Sequence, residues 1–404
     1  MIPWHRSKVR RAKNSIALDR LRYLVKVMKF DTVLSLTGLY FLLVPLAFGQ
    51  KKPKRPSPVA LAEDGRLAYA PDSLGNRIVD FSYAGYMAGA QGIPDAPIRV
   101  TVPARAGDAT ARIQAAIDYV GTLPLDENGL RGAVLLGAGT HRLLSGIVIR
   151  KSGVVLRGAG MGEGGTVLLG DGRTRETVIR VLGENNVVLK PELRITDAYV
   201  PVNAMRFEVE NAVSLKIGDR VRIIRPSTVE WIKSLKMEEF GGETGWLGWK
   251  PGQRDITWDR TVTAISGNAI AIDAPVTTAL EAKLGGGQVV PYQWNGRISH
   301  TGIENLRIES TFDPKNLKDE NHRWMGITFE NTENVWVRQV TFRHLAGSAV
   351  AVYESASKVT VEDCKSLEPV SEIAGQRRNT FFTQGGQTLF QRCYAEYGMH
   401  DFDR

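Results

Sequence analysis

The sequence predicts an all-β solenoid of stacked parallel coils, and three observations predict it. Four segments share apolar or small residues at positions 1, 3, 6 and 8. They are Thr301-Ile303-Leu306-Ile308, Val335-Val337-Val340-Phe342, Val359-Val361-Cys364-Ser366 and Thr388-Phe390-Cys393-Ala395, at offsets of 34, 24 and 29 residues. The same 24 and 29 shifts align Ile327-Phe329 with Ala351-Tyr353 and with Thr380-Phe382, so two strands per repeat share one register. No helical period separates the strands, which excludes an alternating α/β array.

Composition bounds the rest. The chain has 404 residues, 43% hydrophobic, with only two Cys, which excludes a disulfide-stapled mini-fold and a four-thiolate zinc site. The formal charge of +9 is unevenly placed. Residues 1–55 hold 13 of the 52 Lys+Arg and two of the 43 Asp+Glu, a net of +11, which leaves −2 for residues 56–404. A global basic surface for nucleic acid is excluded, although a local basic groove is not.

Residues 1–49 read as an address. Val33–Gly49 carries no charge in 17 residues, nine Lys/Arg precede it, and Ala47-Phe48-Gly49 has a small-x-small form. A secretory signal cut before Gln50 is expected, with residues 1–27 as an upstream mis-start. The rival is an uncleaved anchor, because 17 apolar residues fall just short of a bilayer span. Both readings export the rest and confine membrane contact to this segment. Residues 50–80 are a linker and lead-in, opening on the polar, Pro-broken KKPKRPSP at 51–58.

Residues 81–182 read as a cap and the first coils. Behind Asp108 and Thr110, Ile113, Ala116, Ile117 and Val120 stand at helical spacing, a helix placed to cover the first coil's open edge. Short apolar runs divided by Gly follow at 132–139, 143–149, 152–160 and 166–170. Residues 183–297 break the pattern with GDRVRIIRP at 218–226 and a hairpin over 256–275 turning at Ser266-Gly267-Asn268. They are expected to form an inserted β domain, in which Trp231, Trp246, Trp249 and Trp258 fall within 28 residues. Coils resume over 298–404. Nothing after residue 396 is long enough to cap the last coil, so a chain truncated from a longer protein is expected, the alternative being an open end covered by another subunit. Stacked coils are about 4.8 Å apart, wider than disulfide geometry at Cβ, so Cys364 and Cys393 are expected as reduced ladder neighbours.

Residues 108–160, with DATARIQAAID, AVLLGAGTH and SGVVLRGAG, resemble the N-terminal stretch of the pectate-lyase superfamily of right-handed parallel β-helices. The resemblance covers roughly 60 residues, and the coils at 298–396 agree with it. It implies a right-handed parallel β-helix acting on a polysaccharide substrate. The superfamily hosts lyases, hydrolases, epimerases and non-catalytic proteins, so the reaction does not follow from it. The paired Asp cluster and Gly-His-Gly of polygalacturonases are absent, as is the Arg-x-Pro-x-x-Arg of the best-known pectate lyases. No catalytic residue carries over.

The candidate site is therefore read from the residues. With Phe329, Tyr353 and Phe382 inward, Glu330, Glu354 and Thr383 would form an outward ladder. Two carboxylates on adjacent coils would suit calcium, a shared proton, or the two acids of a retaining glycosidase. His344, Arg377, His400 and Asp401 are the expected catalytic groups, because removing the C5 proton of a uronate needs a base, and its carboxylate needs a cation. Arg323, Trp324, Arg343, Arg378, Trp246 and Trp249 are the expected substrate contacts, the tryptophans as sugar-stacking platforms. The leading expectation is β-elimination of an acidic, uronate-containing glycan. The rivals are a hydrolase using Glu330 with Glu354 or Asp401, and a solenoid that only binds carbohydrate. GAGMGEGG at 158–165 opens no helix and is not a phosphate loop.

Overall fold

The computed structural model describes residues 57–65, 67–241, 247–375 and 377–403. The expectations for residues 1–49 and for Trp246 fall outside them. No helix among the described residues is long and apolar enough to cross a membrane.

The chain folds as a right-handed parallel β-helix. One long sheet runs through Ile98–Val102, Gly132–Leu136, Val154–Gly158, Ile298–Ser310, Thr332–Arg343, Ser357–Glu362 and Leu389–Gln391. A six-stranded sheet faces it, built from Ile147–Ile149, Thr177–Leu182, Met325–Glu330, Ser348–Val352, Asn379–Thr383 and His400–Asp403. Every pairing within these two sheets is parallel. The helix Thr110–Thr122 buries Ile113, Ala116, Ile117 and Val120. The Asp108 carboxylate accepts from the Thr110 N–H at 3.0 Å and from its hydroxyl at 2.6 Å, a side-chain lock at the helix start.

In the long sheet the predicted register holds residue for residue. Thr301, Ile303, Leu306 and Ile308 stand beside Val335, Val337, Val340 and Phe342, and Val361 stands beside Phe390. The three-residue step between positions 3 and 6 has a backbone cause. Position 5 is occupied by Asn305, Gln339, Asp363 and Arg392, each with φ between 52° and 60°. A left-handed residue at this position of each coil turns the chain and re-phases its inward alternation. Asn and Asp tolerate that conformation locally; Gln339 and Arg392 adopt it because stacked neighbours on both sides hold the corner.

In the six-stranded sheet the predicted register is corrected. Ile327 and Phe329 pair with Val350 and Val352, not with Ala351 and Tyr353. Val350 and Val352 pair in turn with Phe381 and Thr383. Against the corner from Phe329 to Val335, that from Val352 to Val359 is one residue longer and that from Thr383 to Thr388 is one shorter. A single-residue slip exchanges the faces of a strand. The buried ladder is therefore Ile327–Val350–Phe381, all fully buried, and Tyr353 leaves the core.

Val340 and Cys364 are fully buried, and Cys393 packs against the same core. Both cysteines are free. Burial pushes the Cys364 thiol up, and its hydrogen bond to Cys393 adds to that.

Between residues 183 and 297 the chain leaves the solenoid and builds an antiparallel sheet with its own core, including Phe207, Val221, Ile223, Trp258 and Ile270. Its hairpin pairs Ile256–Ser266 with Ala269–Ile272. The exit and return are tied together: Gly183 N–H donates to Glu330 O at 3.0 Å, Glu184 N–H to Gly296 O at 2.8 Å, and Ile298 N–H to Asn331 O at 3.1 Å. The coils on either side stack directly, Val154–Gly158 and Thr177–Leu182 pairing across the excursion with Ile298–Ser310 and Met325–Glu330.

A buried ion network fastens this sheet to the helix. Arg297, 4% exposed at its side chain, pairs with Asp259 at 2.9 Å. Arg222 pairs with the same carboxylate at 3.3 Å, and Arg220 bonds to both oxygens of Glu333 on the solenoid. Burial alone would raise the Asp259 carboxyl, but Arg297, Arg222 and Arg220 outweigh it and hold it below its ordinary value. Arg297 also donates to Ser355 O at 3.2 Å and Ser357 Oγ at 2.9 Å. Through that residue the insertion pins the turn that follows Tyr353.

Candidate functional site

The outer face of the six-stranded sheet holds a cavity of about 430 Å³. Glu176, Arg180, Thr328, Glu330 and Tyr353 line it, with residues 145–148 forming one wall. Arg180 and Thr328 point outward from neighbouring strands in one row, because their partners Ile179, Val181, Ile327 and Phe329 fill the core. Arg180 Nη2 donates to Glu330 Oε1 at 2.9 Å. Burial and the neighbouring Glu330 push the Tyr353 phenol above its ordinary value, against the opposing pull of Arg180. Thr328 is 2% exposed and its Oγ1 has no partner, an unsatisfied hydroxyl beside a groove. A cation, a carboxylate and a neutral phenol thus share one concave surface.

The predicted carboxylate pair does not form. Because of the register slip, the residue that follows Phe329's partner is Tyr353, so Tyr353 rather than Glu354 meets Glu330. Glu354 is exposed in the turn, and Glu330 is engaged by Arg180. Among the described residues no group of three or more His, Cys, Asp or Glu converges to hold a metal. The Glu330 and Glu354 donor set does not fit calcium, which takes six to eight oxygens.

His344, Arg377, His400 and Asp401 do not line the cavity. His344 occupies a corner with φ 61°; its Nε2 lies 3.0 Å from Glu368 Oε2, and its ring packs 4.9 Å from Phe312. Arg343 bonds to the same Glu368. Asp401 accepts from Thr380 Oγ1 at 3.4 Å, and exposed His400 opens the last strand. His344 and Asp401 are thus held by different partners on different coils.

Two predicted substrate contacts are structural instead. Arg323 is fully buried and bonds to Glu176, to Thr174 Oγ1 at 2.9 Å and to Leu144 O at 2.7 Å. Arg378 is 8% exposed and donates to Ser371 O at 2.7 Å and Tyr397 O at 3.2 Å. Arginine forks of this kind satisfy loop carbonyls between coils, and burial turns both guanidiniums away from any ligand. Trp249 packs 5.7 Å from Trp231, with Arg225 over Trp231 at 4.2 Å and Arg254 over Trp249 at 5.5 Å. Trp258 is core, its N–H bonded to Thr277 at 3.0 Å. Among the described residues, none of the tryptophan-rich segment lines the cavity.

Trp324 and Arg377 do meet. Arg377 binds both oxygens of Glu320, Nε to Oε1 at 2.7 Å and Nη2 to Oε2 at 3.2 Å. Arg175 reaches Glu320 Oε2 at 3.0 Å, and both guanidiniums lie over the Trp324 ring, at 4.9 and 5.9 Å. Sequence reading missed Arg180, Tyr353's outward position, Glu320 and Arg175. Arg180 lies in a strand, Thr177–Leu182, whose alternation of Val178, Ile179, Val181 with Arg180 marks it as the one charged outward residue, and that signal was available.

No protein-family profile and no curated protein matches the chain. Among solved structures it is similar to the tailspike protein gp49 from Pseudomonas phage LKA1, at 16% identity over 70% of this chain with TM-score 0.41. It is similar also to the Pseudomonas phage phi297 tailspike gp61, at 12% over 72% with TM-score 0.33. A third is the Gp54 tailspike of Acinetobacter baumannii bacteriophage AP22, solved with A. baumannii capsular saccharide, at 9% over 71% with TM-score 0.29. The matches span 39%, 42% and 51% of those three chains.

Proposed function

We propose that this protein is an exported, carbohydrate-active β-helix that cleaves an acidic, uronate-containing glycan by β-elimination in the groove around Arg180, Glu330 and Tyr353. The observation that carries the reading is the Arg180–Glu330 pair at 2.9 Å facing a phenol kept protonated by burial and by Glu330. Elimination needs three groups at once, and all three are here. Arg180 pairs with the uronate carboxylate and withdraws charge from C5, favouring the enolate-like transition state. Its engagement frees Glu330 to take the C5 proton. As the C4–O bond breaks and the C4–C5 double bond forms, the Tyr353 phenol gives its proton to the departing oxygen. No step passes through calcium, because Glu330 and Glu354 do not share a row.

A hydrolase on the same groove is the second reading, since Glu330 and Tyr353 are also an acid–base pair. The test is to incubate the full chain with a panel of uronate-containing and neutral glycans, with and without chelator. The expected result is an ultraviolet-absorbing unsaturated product from an acidic glycan, unchanged by chelator. New reducing ends without that absorbance would establish hydrolysis, and binding with neither product would leave only carbohydrate recognition. Export rests on Val33–Gly49; N-terminal sequencing of secreted material should begin at Gln50, and an intact Met1 or Met28 on cytosolic protein would defeat it.

A further inference from the structure

Glu320 stands on the long connection 311–324 between the two sheets, and its carboxylate is gripped more completely than a loop residue requires. Arg377 takes it two-pronged, at 2.7 and 3.2 Å. Arg175 adds a third contact at 3.0 Å and anchors the loop through Glu320's own carbonyl at 3.0 Å. Beneath lies Trp324, with the Arg175 guanidinium 4.9 Å and the Arg377 guanidinium 5.9 Å from its ring centroid. The cluster is tied to the groove through the main chain: the Trp324 backbone N–H donates to Glu176 O at 3.2 Å, and Glu176 lines the cavity.

Two guanidiniums around one carboxylate leave one positive charge over. Bidentate guanidinium binding is shape-specific for a planar carboxylate, and an indole face suits the C–H surface of a sugar ring. The site is also accessible, with the Arg175 side chain 53% exposed and that of Arg377 33% exposed. The Glu320 side chain between them is 12% exposed, so exchange starts at the open edges of the two guanidiniums, where ion pairs are weak and competing ions enter. Arg323, by contrast, is buried and permanently filled by loop carbonyls.

We infer that Glu320 is an internal stand-in for a substrate carboxylate, and that Arg175, Arg377 and Trp324 form a second subsite of the groove for a neighbouring uronate unit. An acidic glycan entering the groove exchanges its own carboxylate for that of Glu320. The inference rests on the acidic-glycan reading above.

The test measures binding by the full chain, using tryptophan fluorescence and calorimetry, with a uronate oligosaccharide and a neutral oligosaccharide of equal length. Glu320→Gln empties the cradle of its competing charge and should tighten binding of the acidic oligomer on the order of tenfold, with the neutral oligomer unaffected. Adding Arg377→Ala to Glu320→Gln should abolish the gain. Circular dichroism checks that each variant is folded, and Glu320→Ala serves as a second probe of the same position. Unchanged or weaker acidic binding by both Glu320 variants overturns the inference, as does a gain that survives loss of Arg377. A wild-type chain that cleaves the acidic oligomer while the Glu320 variants bind it no better overturns the subsite alone. Tighter binding without any unsaturated product supports the subsite and overturns β-elimination.

Discussion

Tyr353 and Phe381 are aromatic residues of neighbouring coils, yet one is half-buried beside the groove and the other is fully buried. Their substitutions should therefore separate. Tyr353→Phe keeps the ring and removes only the proton donor, so kcat on the acidic glycan should fall roughly 10²- to 10⁴-fold with the thermal midpoint unmoved. Loss of stability with unchanged turnover would remove Tyr353 from the chemistry. His322 shows the complementary case of a histidine that is structural. Its Nδ1 lies 3.0 Å from Ser310 Oγ, and its Nε2 lies 2.9 Å from Val370 O and 3.1 Å from Asp319 O. Burial holds its pKa below the ordinary 6.5, against the opposing pull of those carbonyls, and His300 is lowered by burial in the same direction. The folded state then binds a proton less readily than the unfolded chain. This contribution to stability is complete above the ordinary histidine value and declines as pH falls through it. Denaturant midpoints should drop between roughly pH 7.5 and 5.5, before the paired carboxylates titrate, and His322→Gln should flatten that decline. An unaltered slope in the variant would refute the assignment.

At the scale of elements, each coil is a pair of strands whose inward residues are buried only by the coils on either side. Phe381 stands beside Val350 and beside Phe402 of the last strand, and it packs at 5.9 Å from Phe390 and 5.3 Å from Phe402. Truncation should leave a cavity that the rigid ladder cannot close. Phe381→Ala is expected to cost about 3–5 kcal/mol in chemical denaturation, whereas an effect below about 1 kcal/mol would mean the ladder is not packed as described. The elements also show how far periodicity reaches. Thr301 to Ile308 and its three counterparts were legible because their spacing depends on one corner residue that every coil retains. The facing strands were legible as strands but misread in register, because the corners leading out of them differ in length. An alternation of period two cannot reveal a slip of one when both faces carry apolar residues, as Val350, Ala351 and Val352 do.

For the whole molecule, the insertion acts as a brace. Its Trp231–Trp249 pair is clasped by Arg225 and Arg254, while Arg297 crosses to the turn at Ser355 and Ser357. Removing that guanidinium leaves Asp259 and Glu333 short of a buried counter-charge. Arg297→Ala should cost about 3–5 kcal/mol, and backbone amides over 353–357 should exchange faster than those of the adjoining strands. Unchanged protection there would mean that the insertion does not hold the turn carrying Tyr353.

The repeat spacing of the long sheet, the capping helix and the antiparallel excursion were determined by the amino-acid sequence alone, because each is written in local periodicity: period two for strands, 3.6 for Ile113 to Val120, and a lapse of both rules over 183–297. The charge balance, +11 over residues 1–55 and −2 over the rest, likewise needs only counting. Which charged residues face a common groove was decided by the tertiary structure. Arg180 and Glu330 lie 150 residues apart, Arg175 and Arg377 converge on Glu320 from different coils, and Arg323 and Arg378 turn inward to loop carbonyls. Outward side chains carry no packing pattern, so their neighbours depend on the number of residues in each corner, and corner length becomes visible only when the coils are stacked.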